Sequence, residues 1–377
     1  MTPRQTLVYW LPGIIAGGTA WLAFIALGHT PVIRASGLAL VIVGMTLLLR
    51  RSGAALAVIG GLALAFSPAF WSQTTASDDV NLGAALIMLA AAALSAIVVL
   101  RFSRYGFLAL ILGFAVFALL FWSQLASFGS LRITTLSAAW LLYLLIDALY
   151  LTNPHPHDPP SPFRLQPRHT LGLLILLAVG VINAPVGILL APAVLLGVLL
   201  YHQRLPWWYW LALMIIIGYG VAGVRAEYLS STWWSYPAAQ ADAQGLRIPF
   251  MLADGWHAAG RWLRLVNLVV SQFTVVGVVL GIFGLSRLAR WYPPLGTVTM
   301  TAYAAHALFG LVYFGNDAQV LLLPLLMIQI FWMTYAVYVL GEWLQRSVRP
   351  RLQILRWLAP AAYVLLPMLL LARIFVT

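Results

Sequence analysis

Apolar stretches separated by short polar segments make up most of the chain. Most stretches are about 20 residues long, the length an α-helix needs to cross a ~30 Å hydrocarbon core. The pattern predicts an all-α, polytopic transmembrane helix bundle of about 13 crossings. The predicted crossings are 7–28, 32–49, 53–71, 82–100, 106–122, 132–151, 170–182, 186–201, 206–224, 266–285, 295–314, 320–344 and 357–376. The short stretches 170–182 and 186–201 are also compatible with a re-entrant pair.

Arginine clusters recur after every second crossing, so that each pair of crossings returns the chain to the same side. By the positive-inside rule this side is cytoplasmic. The sequence therefore predicts a multi-pass protein of the inner (cytoplasmic) membrane with a cytoplasmic N-terminus. The clusters are Arg50/Arg51, Arg101/Arg104, Arg164/Arg168, Arg204, Arg287/Arg290 and Arg346/Arg349/Arg351/Arg356.

Composition supports a membrane environment, since 63% of the residues are hydrophobic and only 8% are charged. A soluble domain cannot bury that much apolar surface. We attribute the net charge of +12 to contact with anionic lipid headgroups, and we expect membrane lipids and no nucleic acid as partners. The absence of cysteine excludes disulfides and thiolate chemistry.

A proline-rich segment divides the chain into two predicted halves. Residues 1–151 form an N-terminal transmembrane half with an acidic outer segment at 77–81. The cytoplasmic linker 152–169 is extended by its composition. Residues 170–377 form a C-terminal transmembrane half with a long outer loop at 225–265.

Six of the nine acidic residues fall on the predicted outer side, which indicates a site there. Asp78 and Asp79 are adjacent at the membrane surface, where carboxylates are costly unless they are solvated, paired or functional. Either one can serve as a general base toward a hydroxyl. The simpler interpretation is a helix N-cap before Val80. Asp317, at another outer helix end, is consistent with a pocket shared with Asp78, and the simpler interpretation is again a helix cap.

Basic and aromatic residues of the outer loop provide the other candidates. Arg225 is suited to bidentate recognition of phosphate, and Arg261 is a second candidate for that role. The alternative for Arg225 is an interfacial anchor paired with Glu227.

Aromatic residues of the same loop predict contact with a sugar or with lipid. Trp234 and Tyr236 can stack on a sugar ring or lie at the lipid interface. Asp254 and His257 have the i, i+3 spacing of an acid/base pair, although a surface histidine with a polar neighbour is more common.

The sequence predicts no metal and no cofactor. The His155–Asp158 cluster has prolines between and after its histidines and no further ligand in its loop. The chain has no P-loop and no HExxH motif, and no GxGxxG follows a strand.

The run from Phe66 to Gln73, FSPAFWSQ, resembles a pattern of the bacterial GT-C glycosyltransferases that are similar to protein O-mannosyltransferases. In that family a Ser-Pro-x-Phe-Trp-Ser-Gln run closes a helix and an acid follows five residues after the Gln, which is Asp78 here where the family usually has Glu. Further matching segments are Arg34, Asn183 to Pro192, Arg225-Ala226, Trp234 to Pro237, Ser271 to Thr274, and Tyr313 to Pro324.

The chain also departs from this family. The usual large first outer loop, with the acid taken to be the catalytic base, is missing, because helix 1 runs through Gly28–Pro31 straight into helix 2. The His that usually follows the asparagine at 183 is replaced by Ala184.

The resemblance implies transfer of a sugar from a polyprenyl-phosphate donor to a hydroxyl acceptor on the outer face. It places the base at Asp78 or Asp79 and the donor phosphate at Arg225. One alternative is a catalytically inactive relative that binds a lipid-linked sugar or serves as an accessory subunit, and a protein partner is left open. Another is a transporter of a lipid or small solute. We expect the deeply placed polar side chains Gln272 and His306 to form interhelical hydrogen bonds.

Overall fold

The structure, a computed structural model, describes residues 3–74, 132–152, 167–200, 205–227, 259–313, 318–348 and 357–376. All regular structure in these ranges is helical. The α-helices are α1 (Pro3–Ala26), α2 (Val32–Leu49), α3 (Ala54–Ala65), α4 (Pro68–Trp71), α5 (Arg132–Thr152), α6 (Pro167–Asn183), α7 (Ala191–Leu200), α8 (Trp207–Glu227), α9 (Ala259–Trp291), α10 (Pro293–Val312), α11 (Ala318–Leu321), α12 (Leu323–Val348) and α13 (Leu358–Val376). Single 3₁₀ segments cover Arg50–Ser52, Ser72–Thr74 and Pro185–Leu190.

Seven of the described helices are long and apolar enough to cross a membrane. They are α1, α2, α5, α8, α9, α12 and α13, and the bent pair of α3 with α4 makes an eighth if it is one span. The prediction of an all-α, multi-pass membrane bundle is confirmed. The number of about 13 crossings stays a prediction, and the crossings at 82–100 and 106–122 lie outside the described residues.

The helix boundaries differ from the predicted ones mainly at α9. This helix begins at Ala259 and has 33 residues, with a break at Thr274. α8 ends at Glu227. Residues 225–227 and 259–265, at the two ends of the segment predicted as the outer loop 225–265, are therefore helical. The linker prediction 152–169 lies largely outside the described residues, but α5 and α6, which it joins, pack against each other.

Charged and aromatic side chains join α1, α2 and α5 at one end of the bundle. The Nη2 of Arg51 donates to Oδ1 of Asp147 at 2.9 Å, and the Arg51 guanidinium lies 4.3 Å from the centre of the Tyr150 ring. The Arg50 guanidinium lies 3.9 Å from the centre of the Tyr9 ring. Paired charge and cation–π contact stabilise these ionised groups close to lipid. We call this the Tyr150 end.

Two tyrosine contacts extend the same network. The hydroxyls of Tyr9 and Tyr143 are 2.6 Å apart, and the rings of Tyr150 and Tyr292 are 5.3 Å apart. The second contact brings the α9–α10 turn to this end. Residues of separate segments that were predicted to share the cytoplasmic side therefore do lie together at one end of the bundle.

The opposite end is marked by Thr30, which follows α1, and Thr74, which follows α4. The Oγ1 of Thr30 donates to the Thr74 carbonyl oxygen at 3.4 Å. We call this the Thr74 end. Only residues 27–31 join α1 to α2, so the expectation that helix 1 runs directly into helix 2 is confirmed.

Glycines let α9 approach α12 closely. The Nε2 of Gln329 donates to the Gly277 carbonyl oxygen at 2.9 Å, and a Cβ on Gly284 would collide with the backbone carbonyl of Trp332. Small residues at helix interfaces are how membrane helices pack closely without a hydrophobic driving force.

We predict that Gly284→Ala lowers the free energy of unfolding by about 1–3 kcal/mol, because the added methyl meets backbone that has no rotamer to change. Thermal unfolding of the detergent-solubilised protein measures this loss. The matched control is Gly18→Ala, since a Cβ on Gly18 meets nothing within 4 Å. Equal midpoints for the two variants would contradict the packing described here.

Candidate functional site: broken helices at the Thr74 end

The first break separates α3 from α4. Ser67 has extended backbone angles, φ −67° and ψ 139°, and Pro68 begins α4, so that the two helical pieces differ in direction by 61°. The Oγ of Ser67 donates to the Leu64 carbonyl oxygen at 2.8 Å. The same carbonyl accepts the backbone N–H of Ser67 at 3.0 Å, so Ser67 binds the end of α3 through both its backbone and its side chain.

The second break lies within α9 and meets the first. Thr274 has φ 64° and ψ 173°, a conformation that costs energy for a residue with a Cβ. Two residues earlier, Oε1 of the buried Gln272 accepts the backbone N–H of Ala69 at 2.8 Å. Gln272 thus caps the start of α4, and the prediction that it bonds between helices is confirmed.

The last helix contributes to the same junction. The Nη1 of Arg373 in α13 donates to the Ser271 carbonyl oxygen at 2.8 Å. α11 also contacts α4. Four separate parts of the chain therefore meet around the start of α4, three of which belong to the segments that resemble the glycosyltransferases.

The third break separates α6 from the 3₁₀ segment Pro185–Leu190. The Nδ2 of Asn183 donates to Oγ1 of Thr134 at 2.8 Å, and that hydroxyl donates to the Gly180 carbonyl oxygen at 3.1 Å. Gly187 lies against the backbone of Gly180, where a Cβ would be only 2.8 Å away. The side chains of α5 thus hold the turn after α6 in place.

A small cavity with a mostly apolar lining lies between this turn and the start of α12. Its lining includes Thr134, Ser137, Gly180, His306 and Pro324. The space open to a water-sized sphere is about 10 Å³, about the room for one water molecule, so a sugar does not fit. His306 is buried, but its Nδ1 bonds the Ala302 carbonyl of its own helix at 2.8 Å. The expectation of an interhelical bond from His306 is therefore not met at Nδ1.

Three arginines lie near the end of α8 and the start of α9. Arg225 lies exposed in the last turn of α8 and Arg264 lies exposed in the second turn of α9. Arg261 is buried, with 8% exposure, and its Nη1 donates to the Leu311 carbonyl oxygen at 2.6 Å. That carbonyl belongs to the last turn of α10, where helix carbonyls need outside donors. Arg261 therefore joins α9 to α10.

The described charges divide between the two ends. Among the described acidic side chains, Asp147 and Glu342 both lie at the Tyr150 end, in contact with Arg51 and Arg346. At the Thr74 end the exposed guanidinium groups of Arg225 and Arg264 are suited to an anionic group.

The predicted site residues are only partly described. Arg225 and Arg261 lie at the Thr74 end as above, and Glu227 is the last residue of α8. Three of the described polar groups, Gln272, Arg373 and Thr134, were not among the predicted site residues. The predicted residues outside the described ranges are Asp78, Asp79, Trp234, Tyr236, Asp254, His257 and Asp317.

No protein-family model matches the chain, and no curated protein or solved structure matches it either. In the part of the chain that the structure describes, no three His, Asp or Glu residues come together as a metal site requires.

We predict that Gln272→Met destabilises the protein by about 1–3 kcal/mol, the cost of leaving the buried Ala69 N–H without an acceptor. The matched control is Gln319→Met on the exposed face of α11, which should change stability by less than about 0.5 kcal/mol. Thermal unfolding in detergent measures both. If the Gln272 variant is as stable as the control, the cap on α4 is not the interaction that holds the two breaks together.

Proposed function

We propose that the protein is a glycosyltransferase of the inner membrane that moves a sugar from a polyprenyl-phosphate donor to a hydroxyl acceptor at the Thr74 end. In this proposal the N-terminus is cytoplasmic and the Thr74 end faces outward. The observation that supports the location of the site is the hydrogen bond from Ala69 to Gln272. It joins two segments of the family resemblance at the end of the bundle that also holds Arg225 and Arg261.

The position of the breaks supports a site at this end. Irregular backbone at membrane depth is tolerated where it is buried in protein or lines a water-filled cavity. In the described residues the breaks near Pro68, Thr274 and Pro185 all occur toward the Thr74 end. Helices at the Tyr150 end are tied instead by ion-pair and aromatic contacts.

In this proposal the arginines at the Thr74 end have two different roles. Arg225 and Arg264 are exposed and able to bind the donor phosphate in the polar layer. Arg261 has one nitrogen committed to Leu311, so we assign it mainly to positioning α9, whose first turns carry Arg264. A phosphate held by guanidinium groups is a better leaving group because its developing charge is stabilised.

The proposed reaction needs one carboxylate. The acceptor hydroxyl oxygen attacks the anomeric carbon while the bond from that carbon to the phosphate oxygen breaks. Asp78 or Asp79 takes the hydroxyl proton, and polyprenyl phosphate leaves with the bonding electron pair. Asp78 follows Thr74 by four residues in the chain. Trp234, Tyr236, Asp254, His257 and Asp317 are proposed to surround the sugar.

Transport of a lipid or small solute is a second candidate that the broken helices favour. Interrupted helices near the substrate are typical of secondary transporters. Against this candidate, the cavity at His306 holds about one water molecule and is no pathway for a solute. An inactive relative that only binds the donor is the third candidate.

We predict that the double variant Asp78→Asn/Asp79→Asn consumes the donor about 10² to 10⁴ times more slowly than the unmodified protein, the range for loss of a general base. The assay uses the purified protein in nanodiscs, polyprenyl phosphate carrying tritiated mannose, and a serine-rich peptide as acceptor. The readout is radioactivity lost from the lipid phase and gained by the peptide.

The transfer assay and a lipid-movement assay in proteoliposomes together distinguish the candidates. An unmodified protein that binds the donor without consuming it is an inactive relative. One that moves a fluorescent lipid across the bilayer of a proteoliposome is a transporter. Equal rates for the double variant and the unmodified protein would rule out both aspartates as the base.

Arg225→Gln is predicted to weaken donor binding by about 10-fold or more, since a charge-assisted bond to phosphate contributes about 1.5–3 kcal/mol. The matched control is Arg346→Gln, which removes an exposed arginine at the Tyr150 end and should leave donor binding unchanged. Equal losses in a filter-binding assay would show that the donor phosphate is not held by Arg225.

A further inference from the structure

Thr274 has a backbone conformation that threonine rarely adopts. Its angles, φ 64° and ψ 173°, lie in a region that is populated almost only by glycine, and a side chain branched at Cβ makes the conformation costly. Strain of this kind favours an ordinary conformation by about 5- to 150-fold. Residues 259–273 and 275–291 on either side are helical, so the unstrained alternative is a continuous helix.

The local sequence does not require a break at this position. The other two breaks coincide with prolines, at Pro68 and Pro185, whereas no proline or glycine lies within two residues of Thr274. Sharp kinks in helices usually have such a local cause, or a side chain that interrupts the backbone hydrogen bonds. The break in α9 is therefore imposed by contacts with other helices.

After the break, α9 is fixed to α12. The Nε2 of Gln329 donates to the Gly277 carbonyl oxygen at 2.9 Å, three residues after Thr274. One turn further along, a Cβ on Gly281 would collide with the Gln329 side chain. This part of α9 has little room to move, so the part that has to move if the helix straightens is 259–273.

Before the break, two hydrogen bonds from other helices hold the residues next to Thr274. The Oε1 of Gln272 accepts the Ala69 N–H in a buried bond, and the Nη1 of Arg373 donates to the Ser271 carbonyl oxygen in an exposed one. A hydrogen bond from a charged donor shifts an equilibrium by about 10-fold or more, which is of the same order as the strain. The bond from Arg373 is therefore strong enough to keep α9 bent, and its exposure makes it the more easily broken of the two.

We propose that Thr274 is a hinge and that Arg373, on the last helix, holds this hinge in the bent state. When the bond from Arg373 is broken, Thr274 relaxes to helical angles and residues 259–273 move into line with the rest of α9. This movement withdraws Gln272 from Ala69, so the two breaks at the Thr74 end change together. The proposal does not depend on glycosyl transfer.

The test measures the distance between two spin labels on α9 by double electron–electron resonance in nanodiscs. The chain has no cysteine, so V266C/I282C carries labels at only two positions, both of which are exposed. The labels are 16 residues apart, which is about 24 Å in a continuous helix. In R373Q the straight population should grow about 10-fold or more relative to the bent one. R373K keeps a charged donor and should stay bent.

Two further variants separate the roles of the two residues. R290Q removes an exposed arginine at the other end of α9 and should leave the distances unchanged. T274G relieves the strain of the bent state, so R373Q/T274G should return to the bent distance. The proposal is overturned if R373Q gives the distances of the unmodified protein, if R290Q alters them as much, or if T274G does not restore the bent distance.

A second measurement leaves Arg373 in place and covers an arginine variant that does not fold. Glycine is less stable than alanine inside a helix, but it tolerates the angles of Thr274. T274G should therefore have a higher unfolding midpoint than T274A. At Ser286, an exposed helical position of α9, the order should be reversed, with S286A above S286G. A midpoint for T274G below that of T274A would show that residue 274 is helical and would overturn the hinge.

Discussion

Hydrogen bonding of the backbone inside the hydrocarbon core is the constraint on which the rest of the structure depends. With no water to replace a missing partner, each N–H and C=O must be satisfied by the protein itself. Continuous helices meet this requirement locally. Where a helix is interrupted or ends, a side chain can supply the bond, as Gln272 does for Ala69 and Arg261 for Leu311. Each break is therefore tied to a particular polar residue.

This constraint gives the two ends of the bundle different properties. The Tyr150 end is held by an ion pair and by aromatic contacts between side chains, as between Arg51 and Asp147. The Thr74 end is held by side chains that bond to backbone. Hydrogen bonds to the broken backbone hold these polar side chains in fixed positions. A binding site needs side chains that are held in this way.

Sequence reasoning was accurate where local length and composition decide the structure. The range 32–49 was predicted for the second helix and is observed, because eighteen mostly apolar residues between Pro31 and Arg50 leave few alternatives. Pro68 provided a local signal for the bend within 53–71, yet the crossing was predicted as continuous. No local signal marks the non-helical angles of Thr274, and the partner of the nearby Gln272, Ala69, is 203 residues away in sequence. The carboxylates of the proposed site stay predictions.

The hydrogen bonds also change what the family resemblance implies. Ser67, Asn183 and Gln272 belong to the matching segments, and each bonds to broken or turning backbone or to the side chain that holds it. A chain needs these residues to fold with its helices interrupted at these places, whether or not it transfers a sugar. An inactive relative would need the same three side chains for the same reason. The matching segments therefore argue for a shared architecture, and the case for catalysis depends on Asp78 and Asp79.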